Sequence, residues 1–205
     1  MRKIFVTGIG TDAGKTFVSS ILVEALKADY WKPIQTGNFF STDSADVKNW
    51  ITNTQTKIHP EAYSLKQPMS PHIAAELDGV TITLDSIHLP ETKNTLIIEG
   101  AGGVLVPINK KEFIIDLVKK FDLEVILVIH NYLGSINHSL LSIEALKKRG
   151  ANILGVVFNG APDKVSQDII IEHSGLKLLG NINTEKEINK EVVLRYAKEF
   201  EYLRK

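Results

Sequence analysis

The chain has 205 residues, which is enough for one α/β domain with a substantial core and short for two domains that each carry their own. Its 24 basic and 24 acidic residues give a formal net charge of zero, so we expect neither nucleic acid nor an anionic membrane as a partner. Cysteine is absent, which excludes disulfides and thiol nucleophiles, and the apolar run after Lys3 is too short for a signal peptide, so we expect a cytoplasmic protein.

Short β-branched runs alternate with segments of helical period. This alternation predicts a single α/β domain over residues 1–205, with a mostly parallel central sheet flanked by helices in three layers. The predicted strands are Lys3 to Thr7, Tyr30 to Lys32, Thr95 to Glu99, Glu124 to His130, Ile153 to Phe158 and Lys177 to Gly180. Apolar residues at helical spacing predict helices over Phe17 to Leu26 and Val192 to Leu203. Because ligands bind at the carboxyl ends of such strands, the residues after each strand are the candidates for a site.

The first strand runs into G-I-G-T-D-A-G-K-T over residues 8–16, and the first predicted helix begins at its end. A strand, a glycine-rich turn and a helix N-terminus direct backbone N–H groups and the positive helix end at an anion. Lys15 would reach the β- and γ-phosphates of a nucleotide, and the Thr16 hydroxyl would bind magnesium. Five residues separate Gly8 from Gly14, where the usual pattern has four. The motif predicts a P-loop NTPase-like fold that uses ATP and Mg²⁺.

The second strand ends in Lys32, and Pro33 keeps this lysine extended toward the loop that follows. The position predicts a lysine beside the γ-phosphate, and a solvated surface lysine is the alternative. Further on, S-T-D-S-A-D over residues 41–46 opens a predicted helix at Val47 to Ile51. Asp43 and Asp46 are each compatible with a helix cap or with a magnesium ligand, and the residues alone leave the two equal.

The third and fourth strands also end in candidate binding residues. Glu99 closes the third strand, and the glycines after it would allow a metal-bound triphosphate close to the backbone. After the fourth strand, a helix predicted to begin near Ile136 would offer N–H groups from Gly134 to Asn137 to a carboxylate. Ser135 or Asn137 could equally be a simple cap of that helix.

Three further polar residues lie near the ends of the later strands. Asn159 follows the fifth strand, where an amide side chain can both donate to and accept from the edge of adenine. His130 and His138 lack partners at metal-ligand spacing, so we interpret both as structural.

Together these segments resemble the dethiobiotin synthetases over nearly the whole chain. The matching segments, in order, are V-T-G-I-G-T-D-A-G-K-T, Y-W-K-P-I-Q-T-G, S-T-D, P-M-S-P-H at residues 68–72, E-G-A-G-G-V-L-V-P and L-G-S-I-N-H. A G-K-T ending is shared with many unrelated proteins, but the later segments are specific in combination. The five-residue spacing of the P-loop is itself familiar in this family.

The resemblance implies a role for each matching residue. The catalytic residues would be Lys32 and Lys15, and the magnesium ion would be arranged by Thr16, Asp43 and Glu99. ATP would be bound by Asp12, Ala13, Gly14, Lys15, Thr16, Asp43, Glu99, Gly100, Ala101, Gly102 and Asn159. The substrate would contact Thr36 and, from the neighbouring subunit of a homodimer, Gly134, Ser135, Ile136 and Asn137. The resemblance favours Asp43 over Asp46, since the family's aspartate follows a small polar pair such as Ser41 and Thr42.

The resemblance also implies a reaction, in which carbon dioxide, drawn from bicarbonate, adds to one amine of 7,8-diaminononanoate. The resulting carbamate would attack the γ-phosphate of ATP, and the second amine would displace phosphate from the carbamic–phosphoric anhydride to give dethiobiotin. The alternative is a P-loop ATPase switch of the partitioning or metallochaperone type. Such switches usually show basic or amphipathic partner surfaces, or Cys and His metal ligands, and this sequence shows neither.

Overall fold

The computed structural model describes residues 1–37 and 41–204, and this part of the chain forms a single α/β domain. The predicted domain of residues 1–205 also includes residues 38–40 and 205, which lie outside the described part. In chain order the strands are β1 (Lys3–Gly8), β2 (Asp29–Trp31), β3 (Ile34–Thr36), β4 (Ile58–His59), β5 (Tyr63–Leu65), β6 (Leu96–Gly103), β7 (Glu124–His130), β8 (Asn152–Asn159) and β9 (Leu178–Ile182). The main sheet has the order β4-β2-β6-β1-β7-β8-β9 with parallel pairings, and β3 and β5 form a separate parallel pair.

Helices cover both faces of the main sheet. They are α1 (Lys15–Leu26), α2 (Asp43–Trp50), α3 (Pro71–Leu77), α4 (Asp116–Phe121), α5 (Ser135–Lys148), α6 (Lys164–Ser174) and α7 (Lys190–Phe200), with 3₁₀ turns at Leu84–Ser86 and Glu201–Arg204. Helices α1, α2 and α7 contribute to one apolar core, and α3, α4, α5 and α6 contribute to the other. None of the helices in the described ranges is both long and apolar enough to cross a bilayer.

The two cores explain the apolar patterns of the sequence. In β7, residues 125–129 are all fully buried, and alternate side chains enter the two cores because the strand has neighbours on both sides and helices on both faces. The stripes predicted for α1 and α7 meet each other, and Phe17 contacts Tyr196 edge to face with ring centroids 5.9 Å apart. The sheet therefore holds its carboxyl edge, where the loops of the site begin, on a rigid support.

The structure contains all six predicted strands, but the third prediction ends too early. Strand β6 continues to Gly103, so Glu99 lies within the strand and not at its tip. A Cβ on Gly103 would lie 3.3 Å from the Gly10 Cα, so the small residues allow β6 to continue beside the P-loop. The strands β3, β4 and β5 are absent from the prediction because two or three residues carry too little alternation to identify.

All four predicted helix starts differ from the structure, and α1 and α7 each begin two residues before the predicted stripe, at Lys15 and Lys190. Helix α2 begins at Asp43 and not at Val47, because the Thr42 side chain caps it by accepting a hydrogen bond from the Ala45 N–H at 3.2 Å. Neither aspartate of this segment supplies the cap. Helix α5 begins at Ser135, one residue before the predicted start.

Candidate functional site

A cavity of about 730 Å³ opens at the carboxyl ends of β1, β2 and β6. Its walls come from the P-loop, from the segments that follow β2 and β3, from the start of α2 and from the end of β6. The predicted site residues that line it are Asp12, Gly14, Lys15, Thr16, Lys32, Thr36, Asp43, Glu99, Ala101 and Gly102. Residues from five separate segments of the chain therefore meet in one space, as strand ends in a parallel sheet must.

The P-loop is held in shape by glycine and by Asn159. Gly14 has φ of +90°, and a Cβ there would lie 2.1 Å from Nδ2 of Asn159, so only glycine fits. The Asn159 amide donates a hydrogen bond to the Ala13 carbonyl at 3.0 Å. Asn159 thus lies against the loop without lining the cavity, and Ala13 is buried beneath it.

Lys15 lies over the loop that precedes it. Its ammonium donates to the Gly10 carbonyl at 3.0 Å. Burial lowers the pKa of Lys15, and the charge of Lys32 adds to this effect, while the carboxylate of Glu99 opposes it. The two lysines repel each other across the cavity, so a bound polyanion would relieve an unfavourable interaction that both of them share.

Three oxygen-bearing side chains converge beside Lys15. The Thr16 hydroxyl lies 2.7 Å from Oδ1 of Asp43 and 2.8 Å from Oε1 of Glu99. A hydroxyl has one proton to donate, so it can satisfy only one of these two carboxylate oxygens at a time. Hydroxyl and carboxylate oxygens are the ligands that magnesium prefers.

Lys32 lies between the same two carboxylates. Its ammonium contacts Asp43 and lies 3.0 Å from Oε1 of Glu99. With 5% of its surface exposed, it is not the solvated surface lysine that the sequence leaves open. Burial by itself would lower the pKa of Lys32, but the two carboxylates outweigh burial and raise it, so the side chain stays charged. In the same way, Lys32 and Thr16 hold the pKa of Asp43 below its ordinary value in spite of burial.

Asp46 lines the cavity but has a different environment. It accepts a hydrogen bond from the Ser41 hydroxyl at 2.8 Å, whereas Asp43 contacts both Thr16 and Lys32. The geometry therefore favours Asp43 as the metal ligand, the same residue that the resemblance favours.

Two further residues shape the site and are missing from the sequence prediction. The Tyr30 hydroxyl donates to Oε2 of Glu99 at 2.8 Å, and burial, together with the negative charge of Glu99, raises the pKa of Tyr30 well above its ordinary value. The Gln35 side chain accepts a hydrogen bond from the Asp43 N–H at 3.1 Å and so fixes the start of α2. The sequence feature that could have identified Tyr30 is its position two residues before Lys32, since this spacing places both side chains on one face of an extended chain.

Gly100 and the turn at residues 134–137 do not line the cavity. Gly100 faces the opposite core, where a Cβ would lie 2.8 Å from the Phe5 ring. The Ser135 N–H already donates to the Tyr132 carbonyl at 2.9 Å, so the predicted receptor could use only the N–H groups of Gly134, Ile136 and Asn137. Within one chain, therefore, the turn and the cavity are separate.

The two histidines make local hydrogen bonds, as a structural role requires. Nδ1 of His130 lies 2.9 Å from the Asn159 carbonyl, and Nδ1 of His138 lies 2.6 Å from the Tyr132 hydroxyl. The first contact connects the ends of β7 and β8, and the second connects the loop after β7 to α5.

The oxygen atoms of Thr16, Asp43 and Glu99 fit magnesium better than a metal ion that must be surrounded by protein ligands. Across residues 1–37 and 41–204, no group of three or more His, Cys, Asp or Glu side chains is placed to hold a metal ion. Magnesium in nucleotide sites is usually held by one or two carboxylates together with phosphate oxygens and water. One hydroxyl and two carboxylates beside a P-loop match that requirement.

Known proteins match this chain over nearly its whole length. A family model described as an AAA domain matches residues 2–192. An ATP-dependent dethiobiotin synthetase of Cytophaga hutchinsonii is 52% identical over 198 residues, which cover 96% of this chain and 96% of that protein. A protein of the same description from Christiangramia forsetii is 49% identical over 199 residues, which cover 97% of this chain and 96% of that protein.

Solved structures with a similar fold include ATPases of cell division and plasmid partition. The cell division ATPase MinD of Pyrococcus furiosus aligns with a TM-score of 0.58 at 16% identity, over 99% of this chain and 100% of that chain. A plasmid partition protein from Borrelia burgdorferi aligns with a TM-score of 0.59 at 12% identity, over 98% of this chain and 97% of that chain. At such low identity the likeness concerns the fold alone.

Proposed function

Because the chain belongs to the ATP-dependent dethiobiotin synthetase family, we propose that it makes dethiobiotin from 7,8-diaminononanoate, carbon dioxide and ATP. The observation that carries the proposal is the convergence of Lys15 and Lys32 with Thr16, Asp43 and Glu99 in one cavity. A P-loop alone indicates a nucleotide, whereas the second lysine and the two carboxylates provide what phosphoryl transfer needs.

The reaction proceeds in three steps. One amine of the substrate adds to carbon dioxide and loses a proton, which gives a carbamate. A carbamate oxygen attacks the γ-phosphorus of ATP, the bond to the bridging oxygen breaks, and ADP leaves. The second amine then attacks the carbonyl carbon of the mixed anhydride and loses a proton, the bond from that carbon to the phosphate oxygen breaks, phosphate leaves, and the cyclic urea forms. No side chain needs to form a covalent bond with an intermediate.

The residues act by positioning and by charge. Backbone N–H groups of residues 12–16 hold the phosphates, and Lys15 and Lys32 offset the negative charge that builds on the γ-phosphoryl oxygens. Thr16, Asp43 and Glu99 would hold Mg²⁺, which supplies further charge neutralisation when bound. Thr36, at the far wall of the cavity, would contact the diamine.

Two further predicted ATP contacts, Ala101 and Gly102, line the cavity and would let the nucleotide approach the end of β6, whereas Gly100 faces the opposite core. Asn159, at the end of β8, would read the adenine edge.

The substrate carboxylate would bind in a second copy of the chain. The turn at residues 134–137 is separate from the cavity of its own subunit, so a homodimer is needed to bring the two together. Leu133 is fully exposed next to this turn, and Leu105 and Leu141 are about half exposed beside a crevice of about 350 Å³. Leu105 and Leu141 line the same crevice, and exposed apolar neighbours of this kind are typical of an interface, which supports the homodimer. The cytoplasmic location stays a prediction.

The ATPase switch is the weaker alternative. It has the support of the fold, since structures of partition and cell division ATPases align over nearly the whole chain. Relatives of about half identity over nearly their full length instead favour the synthetase.

The decisive experiment incubates the purified protein with 7,8-diaminononanoate, bicarbonate and MgATP. Mass spectrometry should detect a product heavier than the diamine by one carbonyl group in place of two hydrogens, and free phosphate should appear in equal amount. Phosphate release that does not depend on the diamine, with no cyclic urea, would support the switch instead.

A further inference from the structure

Tyr30 is a fully buried tyrosine in the strand next to Glu99. It pairs with Ile97 of β6, and the two-residue period of a strand places Ile97 and Glu99 on the same face of the sheet. The phenol therefore extends along the sheet from Ile97 to the carboxylate, where its hydroxyl donates to Oε2 at 2.8 Å. A phenylalanine would fill the same apolar space, so Tyr30→Phe removes the hydroxyl and its hydrogen bond and leaves the packing in place.

The two carboxylate oxygens of Glu99 have different hydrogen-bond partners. Oε1 faces the cavity and lies 2.8 Å from the Thr16 hydroxyl and 3.0 Å from the Lys32 ammonium. Oε2 faces Tyr30. Because Glu99 is 1% exposed, no surrounding solvent competes for either oxygen, and the hydrogen bond to Tyr30 fixes the orientation of the carboxylate.

We propose that Tyr30 is a positioning residue that makes Glu99 a one-oxygen ligand and thereby favours Mg²⁺ over Ca²⁺ in the nucleotide complex. Magnesium requires a compact octahedron of single oxygens, whereas calcium accepts carboxylates that bind through both oxygens. A Glu99 that is free to rotate could offer both oxygens, which suits the larger ion. The inference rests on the proposed function only in that a metal–nucleotide complex binds in this cavity.

The test measures binding and needs no turnover. A non-hydrolysable ATP analogue is titrated calorimetrically into the full chain in Mg²⁺ and, separately, in Ca²⁺, for the wild type and for Tyr30→Phe. The ratio of the dissociation constant in Ca²⁺ to that in Mg²⁺ should be about tenfold lower in the variant than in the wild type. A tenfold change is the lower end of the loss of metal affinity that follows when a ligand loses its hydrogen-bond partner. Thermal unfolding of the metal-free proteins reports any damage to packing separately.

Two controls test whether the effect of Tyr30 on metal preference depends on Glu99. Tyr202→Phe removes another phenol hydrogen bond, which goes from a partly exposed side chain to the Leu179 carbonyl at 2.9 Å, away from the cavity, and it should leave the ratio unchanged. In a Glu99→Gln background, Tyr30→Phe should also leave the ratio unchanged, because the side chain that Tyr30 orients no longer has two equivalent oxygens.

The outcomes separate the inference from the proposed function. If the analogue binds Tyr30→Phe with the wild-type ratio, or with an equal loss of affinity in both metals, the role of Tyr30 is packing alone and the inference is wrong. A wild-type protein that binds the analogue in neither metal overturns the nucleotide site itself.

Discussion

Lys32 shows how the site controls charge at the scale of one residue. Its ammonium is buried between two carboxylates, so it remains protonated, and in turn it holds the pKa of Asp43 below its ordinary value, in a space that excludes most solvent. Charges in such a space act strongly on a bound triphosphate because water screens them little. Each of these side chains therefore has a separable effect on binding or on turnover.

Replacing Lys32 by alanine should lower kcat by roughly 10²-fold or more, the usual cost of removing one group that stabilises the transition state. ATP should still bind, because Lys15 and the P-loop backbone remain. Steady-state kinetics and calorimetric titration with ATP measure the two effects. Lys48→Ala, which changes an exposed lysine of α2, is the matched control. Full activity of Lys32→Ala would remove this residue from the mechanism.

If Thr16 is a magnesium ligand as proposed, its replacement by valine should raise the magnesium concentration needed for half-maximal activity at least about tenfold, since valine has nearly the same shape without the hydroxyl. Thr16→Ser keeps the hydroxyl and should stay close to the wild type. The measurement is a magnesium titration at fixed, saturating ATP. An identical magnesium dependence in the valine and serine variants would exclude the hydroxyl as a ligand.

Helices α1 and α2 show how an element is held in place. Glu24 of α1 is buried and accepts hydrogen bonds from the N–H groups of Thr52 at 2.6 Å and Asn53 at 3.0 Å, just after the end of α2. Burial alone would raise the pKa of Glu24, but these hydrogen bonds outweigh it and lower the pKa to about 2. The ion thus connects the helix of the P-loop to the helix that carries Asp43.

Replacing Glu24 by glutamine should reduce the free energy of unfolding at pH 7 by roughly 1–3 kcal/mol, because buried N–H groups lose a charged acceptor. A carboxyl whose folded pKa is depressed stabilises the protein fully above its unfolded value of 4.5, and this stabilisation is lost as the pH falls toward about 2.

Urea unfolding at several pH values measures the difference between the wild type and Glu24→Gln. That difference should be largest near neutral pH and should shrink between about pH 4.5 and pH 2. Glu199→Gln, at an exposed position of α7, should show no such window. A difference that stays constant down to pH 2 would mean that the charge of Glu24 does not contribute.

At the scale of the whole molecule, the two regions predicted to bind the substrate, the cavity and the turn at residues 134–137, are separate within one chain. The turn at residues 134–137 does not line the cavity, and the exposed Leu133 lies beside the turn. If the turn of one subunit completes the cavity of another, each site in a homodimer takes residues from both chains. This arrangement predicts a result that no single-subunit site can give.

Lys32→Ala and Asn137→Asp should each lose activity alone, the second because its added negative charge repels the substrate carboxylate, and mixing the two should restore activity. Half of the randomly mixed dimers contain one copy of each, and one of their two sites carries neither change, so about a quarter of wild-type activity should return. The subunits are exchanged by mild denaturation and refolding, and activity is compared with each variant treated alone. No recovery, in a mixture that sedimentation shows to be dimeric, would mean that each site lies within one subunit.

The sequence by itself determined the class of fold and the nucleotide loop of this protein. Both depend on local signals: alternating apolar runs, helical stripes such as that of α1, and the spacing of Gly8, Gly14 and Lys15. These signals act within about a dozen residues, so they can be identified without knowledge of the rest of the chain. The position of Lys32 after a strand already favoured a role at the phosphates, and the match to one family then favoured Asp43 over Asp46, a choice that local patterns left undecided.

Only the tertiary structure decided which partners those residues have. The pairing of β2 with β6 brings Tyr30 and Lys32 to Glu99, and Gln35 fixes the start of α2 so that Asp43 meets Thr16. Tyr30 and Glu99 are 69 positions apart in the chain. No local pattern encodes such a contact, because it follows from the order and register of strands, which the packing of the whole sheet determines.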